Sequence, residues 1–111
     1  MSAGYGHTMA IDTDGYLCGC GNNGAGSLGL GDTTSRSTPT QVGSKKWTQV
    51  SAGYDYTMAI DTDGYLWGWG ADMYGQLGLG DTDTRTVPTQ VGTKKWKQVS
   101  TGYYHTLAIS K

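Results

Sequence analysis

The chain repeats itself. Residues 2–50 and 51–99 align without a gap at an offset of 49, and 34 of the 49 aligned positions are identical. A third copy starts at Ser100 and runs to Ile109–Lys111. Self-similarity at a fixed period of about 20–50 residues marks architectures built from stacked units, and it overrides local motif readings. The repeat therefore speaks clearly about architecture and much less about activity.

Within one unit the pattern reads as strands. In the second copy, Tyr56–Ile60 is a short strand-like run and Asp61–Gly64 is a turn, with Gly64 free to take a positive φ. Tyr65–Gly70 then alternates strictly. Tyr65, Trp67 and Trp69 share one face, and Leu66, Gly68 and Gly70 share the other. Two strands joined by a short Asp-Gly turn predict a hairpin. The glycine face can lie flush against another backbone or sheet, while the aromatic face must be buried or bind something. Residues 71–86 read as a loop whose two leucines, Leu77 and Leu79, plug a core. Pro88–Val91 is a short strand beginning at a proline, Gly92–Lys95 a turn, and Trp96–Val99 the next strand. Four short strands per unit and no helical periodicity match one propeller blade.

These residues resemble a known family. Trp47-Thr-Gln-Val-Ser-Ala-Gly53, Tyr56-Thr-Met-Ala-Ile60, Asp63-Gly64, Leu66-Trp-Gly-Trp-Gly70, Gly75-Gln-Leu-Gly-Leu-Gly80-Asp81 and Pro88-Thr-Gln-Val91 look like the regulator of chromosome condensation (RCC1-like) repeat. The resemblance covers essentially the whole chain. It implies a β-propeller, typically of about seven blades, with roughly 50 residues in each repeat. It does not imply nucleotide exchange, because one fold hosts many functions.

The expected fold class is thus all-β: two four-stranded blades plus a partial third repeat, completed by oligomerisation. The chain is taken as a single repeat domain, 1–111, with repeats 2–50 and 51–99 and a partial repeat 100–111. An isolated pair of blades exposes two hydrophobic sheet faces, and patches of that size mark interaction sites. Head-to-tail contacts close into a ring or grow into a filament. Three chains give six blades and four give eight, both inside the range of about 4–8. The expected partner is the chain itself, as a trimer, a tetramer or an open polymer, with another protein as a further partner. Thr8–Ile11 and Thr106–Ile109 are copies of one strand and compete for one slot in a closed ring. The C-terminal copy lacks a following hairpin partner, so it is the one expected to be mobile or to reach into a neighbour.

The two full copies differ where side chains are large. Cys18 and Cys20 stand where the second copy has Trp67 and Trp69. The reading adopted is two small apolar residues in tryptophan slots. A metal pair lacks further ligands, since such sites usually need about four, and a disulfide between positions i and i+2 requires a distorted strand. His7 and His105 occupy the slot of Tyr56, which argues for a structural role. The chain has no Glu, and general acid–base chemistry finds no constellation. Asp12-Thr-Asp-Gly15 and Asp61-Thr-Asp-Gly64 read as hairpin turns rather than calcium loops, which need about 6–8 oxygens. Two GxGxxG matches, at Gly19–Gly24 and Gly24–Gly29, lack the strand–helix context of dinucleotide sites.

Composition narrows the partners. With 8 Lys+Arg against 9 Asp the net charge is −1, which is not the basic footprint of a nucleic-acid binder. Lys45–Lys46 and Lys94–Lys97 read as solvated faces. No apolar run approaches the roughly 20 residues of a membrane span. The repeat begins by Ser2, so no leader is expected; the compartment stays unassigned, with the cytoplasm slightly favoured. The expected function is a structural or protein-binding module that self-associates through blade-to-blade contacts, not an enzyme, with no catalytic residue, metal or cofactor. The alternative is a carbohydrate or small-ligand-binding propeller whose inter-blade aromatic site comprises Trp67, Trp69 and Tyr74.

Overall fold

The computed structural model of the chain describes residues 2–73, 75–80 and 83–110. Eight strands follow one another: β1 (Ser2–Ala3), β2 (His7–Ile11), β3 (Tyr16–Gly21), β4 (Arg36–Ala52), β5 (Tyr56–Asp61), β6 (Tyr65–Gly70), β7 (Arg85–Thr101) and β8 (Thr106–Ser110). Spatial order equals chain order, and every pairing is antiparallel.

The predicted hairpins are present. In each, the turn aspartate holds the reversal: Asp12 Oδ1 accepts from the backbone N–H of Asp14 and Tyr16, both at 2.9 Å. Asp61 Oδ1 does the same for Asp63 at 2.9 Å and Tyr65 at 3.0 Å. These are Asx-type turns.

One expected turn is not a reversal. Pro88–Val91 and Trp96–Val99 are two halves of the single 17-residue strand β7, as their first-copy equivalents are of β4. Gly92 does take a positive φ of 65°. The chain bulges there and runs on in the same direction, because Tyr65 still pairs with Lys95 after Trp67 has paired with Gln90. A bulge that adds residues on one strand bends it and increases its twist. The first half of β4 completes one sheet beside β3, and the second half, from Trp47 to Ala52, opens the next beside β5.

Blade 1 is therefore β1, β2, β3 and the first half of β4. Blade 2 is the second half of β4, β5, β6 and the first half of β7. Blade 3 holds the second half of β7 and β8. This is the four-segment blade of a partial β-propeller. Successive blades meet along their first segments: Ala52 N donates to Ser2 Oγ at 2.9 Å, and Ser51 Oγ lies 2.8 Å from Thr101 Oγ1.

The loop after each third segment is seated by a buried polar residue that sequence reading passed over. Asn23 Oδ1 accepts from Leu28 N at 2.9 Å, and its copy Asp72 Oδ1 accepts from Leu77 N at 3.0 Å. Asn23 Nδ2 also donates to the backbone oxygens of Asp32 and Thr34. Leu28 and Leu77 are thereby driven into the core with no exposed surface. They take the space that Gly19 and Gly68 leave. A Cβ on Gly68 would meet Met58 Sδ at 2.7 Å and one on Gly70 would meet the backbone oxygen of Asp55 at 2.5 Å, so the glycine face receives side chains at Gly68 and lies flush against backbone at Gly70.

The C-terminal strand, expected to lack a following hairpin partner, has a preceding one in its own chain. β8 pairs with the second half of β7, Trp96 opposite Ser110 through Thr101 opposite Thr106. The reversal is closed by Gly102 N donating to His105 O at 2.8 Å. The preceding strand, not a following hairpin, supplies the pairing at little loop-closure cost.

Trp69 is fully buried, whereas its first-copy counterpart Cys20 is half-buried. Trp69→Ala should cost about 3–5 kcal/mol. Cys20→Ala should stay near or below about 1 kcal/mol. Urea melts of the two variants check this; equal losses would contradict the packing described.

Candidate functional site

The chemistry-bearing surface of this molecule is the set of blade faces. At the seam between blades 1 and 2, blade 1 contributes Met9, Leu17, Leu28 and Val42, and blade 2 contributes Trp47, Ala59 and Trp69. Trp47 meets Trp69 edge-on at 5.7 Å and Trp67 at 6.0 Å. Gly29, at φ 74°, admits the Trp69 ring, since a Cβ there would lie 2.9 Å from Trp69 Nε1. Among the described residues the indole N–H groups of Trp47 and Trp69 have no hydrogen-bond partner, so the seam is fitted by shape rather than polarity.

Trp67 lies at the rim of this seam, half-buried. Its Nε1 donates to Asp61 Oδ2 at 2.9 Å, and Lys45 spans the blades to reach the same oxygen at 3.3 Å while lying over the Trp67 ring. Burial pushes the Asp61 carboxyl up, but the donors from Trp67, the Tyr65 and Asp63 backbone and Lys45 outweigh it and hold it below the usual value. Lys45 is exposed, as the sequence reading has it, and it also serves as a clasp. Of the expected aromatic set, the structure brings Trp67 and Trp69 together on the face toward blade 1. Tyr74 lies outside the described residues.

Moving one unit along the chain converts that seam into a cleft. The 49-residue translates of Met9, Leu17, Leu28, Val42, Trp47 and Ala59 are Met58, Leu66, Leu77, Val91, Trp96 and Ala108, and all six line an opening of about 400 Å³ between blades 2 and 3. Beyond it, the outward face of blade 3 carries Leu107 and Ile109, 68% and 51% exposed. Their copies Met58 and Ile60 are 1% and 2% exposed under a neighbouring blade. At the opposite end, Cys18 and Cys20 are half-buried free thiols on one face of β3.

Each seam is also pinned by one slot. His7 Nε2 lies 3.0 Å from Thr57 Oγ1, and that hydroxyl donates to Ser27 O at 2.8 Å. In the next seam, Tyr56 OH donates to the carbonyls of Gly102 and His105, and Thr106 Oγ1 donates to Gln76 O at 2.7 Å. Histidine and tyrosine are interchangeable here because each only has to reach the next blade. Desolvation lowers the His7 pKa, against smaller upward effects of Asp55 and a Tyr56 backbone contact.

Sequence reading also missed a row of tyrosines. Tyr5, Tyr54 and Tyr103 recur at the repeat period, each in the turn that follows β1, β4 and β7 respectively. Their rings stack at 4.3 Å and 4.3 Å, with Tyr104 edge-on to Tyr103 at 4.7 Å. The signal was available: a tyrosine kept in all three copies although Tyr5 and Tyr103 are exposed. A hydrogen bond with Tyr103 pushes the Tyr54 hydroxyl up to about 12.

Among the described residues no three of His, Cys, Asp and Glu gather as a metal site. No helix is long and apolar enough to cross a membrane.

Comparison with known proteins places this geometry. The regulator of chromosome condensation (RCC1) repeat pattern matches residues 14–60 and 63–109, and a second pattern of that description matches residues 47–76. No curated protein matches the chain significantly. Among solved structures, human WBSCR16 superimposes with a TM-score of 0.89 at 20% identity, over 98% of this chain and 30% of that one. Prp20p from Saccharomyces cerevisiae, described with its binding to Gsp1p and histones, gives 0.86 at 22% identity, over 99% and 30%. Yeast RCC1 (Prp20) bound to Kap60 gives 0.86 at 21%, over 97% and 29%. The chain thus spans about 30% of the length of these structures.

The His7 slot makes a pH prediction. A pKa below the 6.5 of an ordinary imidazole means the unfolded chain binds the proton more readily than the folded one. This contribution is complete above that value and is lost as pH falls below it. His7→Tyr, the residue of the second copy, should flatten the fall of melting temperature between about pH 7 and pH 5. An unchanged slope would remove His7 as its source.

Proposed function

Because the chain belongs to the regulator of chromosome condensation (RCC1) repeat family, we propose that it is a structural, protein-binding propeller segment that self-associates through blade-to-blade contacts. The observation that carries this reading is the outward face of blade 3. Leu107 and Ile109 stand 68% and 51% exposed, whereas their copies Met58 and Ile60, in the blade before, are 1% and 2% exposed. Burying a side chain of this size is worth about 1.5–3 kcal/mol. Such faces associate head-to-tail, in a closed ring or an open chain. The family supports the protein-binding part. Prp20p is described with Gsp1p and histones, and yeast RCC1 with Kap60.

A binding role fits the residues better than an enzymatic one, since the polar groups of the seams are spent on holding blades together. The carbohydrate or small-ligand reading draws no support from exposure at Trp69, which blade 1 covers fully, while Trp67 is half-buried at the rim.

Sedimentation velocity at about 10 µM should give a trimer, a tetramer or a broad polymer of the 11.8 kDa chain. Leu107→Lys, on an exposed position, should shift the mass toward the monomer without loss of folding. A wild-type chain that stays monomeric with one cooperative unfolding transition would overturn the reading.

A further inference from the structure

We propose that Tyr5, Tyr54 and Tyr103 form an oxidative crosslinking site, at which a one-electron oxidant joins neighbouring rings as dityrosine and ties successive blades together covalently. The blade seams and the binding reading above give these three residues no task.

One turn, used three times, sets the row. Each tyrosine follows a glycine whose N–H closes the turn within its own blade: Gly4 onto His7 O, Gly53 onto Tyr56 O and Gly102 onto His105 O, all at 2.8 Å. A Cβ on any of these glycines would strike the ring of that same His7, Tyr56 or His105, so the turn stays tight in each copy. Identical turns project the three tyrosines alike, and the seams fix the distance between them. Across the second seam, Tyr54 N also donates to Tyr103 O at 3.3 Å.

The rings of Tyr5 and Tyr54 lie 4.3 Å apart at 30°, and those of Tyr54 and Tyr103 lie 4.3 Å apart at 42°. The Tyr54 hydroxyl is hydrogen-bonded with Tyr103, which brings the hydroxyl ends of those two rings together. The ring carbons flanking a phenol oxygen carry much of the unpaired electron of a phenoxyl radical, and here they lie side by side. Tyr5 and Tyr103 are 71% and 55% exposed, so an oxidant reaches the row from solvent. Tyr104 stands edge-on to Tyr103, at 87°, and is outside the stack. Other described tyrosines are placed differently. Tyr56 is fully buried with its hydroxyl on the next blade, and Tyr16 and Tyr65 each lie beneath a lysine.

The chemistry balances. Each of two phenols gives one electron to the oxidant and one proton to water. The two radicals join through a carbon beside each oxygen, and the hydrogen on each joined carbon returns to its oxygen, restoring both phenols. A link has a mechanical consequence. Tyr5 belongs to blade 1, Tyr54 to blade 2 and Tyr103 to blade 3, and neighbours in the row are 49 residues apart in the chain. A covalent closure of that length restrains the unfolded chain as a disulfide does.

The test uses the whole chain and a photo-oxidised ruthenium tris-bipyridyl complex, with persulfate taking up the electrons. Trypsin, cutting after Lys and Arg, leaves Tyr5, Tyr54 and Tyr103 in separate peptides, residues 1–36, 47–85 and 98–111. Dityrosine fluorescence should appear at the mobility of a single chain on a denaturing gel. Fragmentation of the linked peptides should place the bonds at Tyr5–Tyr54 and Tyr54–Tyr103. The linked chain should melt on the order of 10 °C higher. Tyr54→Phe keeps the ring but removes the member shared by both pairs, and should lose most of the dityrosine; Tyr65→Phe should lose none. In urea the links should become fewer and scatter over the other tyrosines. A native yield no higher than that in urea, bonds at Tyr16 or Tyr65, links only between chains, or an undiminished yield in Tyr54→Phe overturns the site. A linked chain that melts where the unlinked one does overturns the tie between blades. If Tyr54→Phe does not fold, the position of the bonds in the wild-type chain decides alone.

Discussion

The structure depends on the face-to-face contact of successive blades, and within it on one large ring. Burying a tryptophan removes about 150–250 Å² from water. At about 25 cal/mol per Å² that is an upper estimate of about 4–6 kcal/mol. The Lys45–Asp61 pair across the same seam involves a lysine 42% exposed. Pairs of that kind are worth about 0–1 kcal/mol. The seam is therefore apolar in energy, and the ionic clasp fixes orientation. Trp69 needs Gly29 opposite it and Trp47 beside it, and the loop bearing Leu28 and Gly29 must be seated by Asn23. Remove that contact and a blade is a four-segment sheet with two apolar faces in water.

Much of this was legible in the chain. The period, the two Asp-Gly hairpins and the alternation in Tyr65–Gly70 led directly to β2–β3 and β5–β6. The buried leucine of the loop was also visible, because Leu77 follows glycines that give it room. What was not legible was direction. Gly92-Thr-Lys-Lys95 has turn composition, yet it is a bulge in a continuous strand. A bulge and a reversal both want a glycine at positive φ, and the sequence does not say whether the following residues pair backward or onward. The same ambiguity hid the partner of β8. It lay upstream, in a strand that had been read as belonging to the unit before.

The candidate surface was half legible. Trp67 and Trp69 were found by alternation, but their burial depended on which blade they face. The tyrosine row was missed for the opposite reason. Tyr5, Tyr54 and Tyr103 sit one per unit in turns, so no local pattern marks them, and only stacking at 4.3 Å across units makes them one surface. Lys45 was read from its neighbours in sequence, whereas its partner Asp61 lies on the next blade.

A repeat protein can be read by asking where the translation fails. Most differences between the copies are neutral to the seam: His7 for Tyr56 keeps the reach to the next blade, and Asn23 for Asp72 keeps the bond that seats the loop. Cys18 and Cys20 for Trp67 and Trp69 are different, because they remove the ring that a seam is built around. The two ends of this molecule are thus unequal. One has an apolar cleft of about 400 Å³; the other has two half-buried thiols. Identical repeats would join head-to-tail with every partner alike. The seam within the chain is built around Trp69, and the outer face of blade 1 carries no ring at the equivalent position.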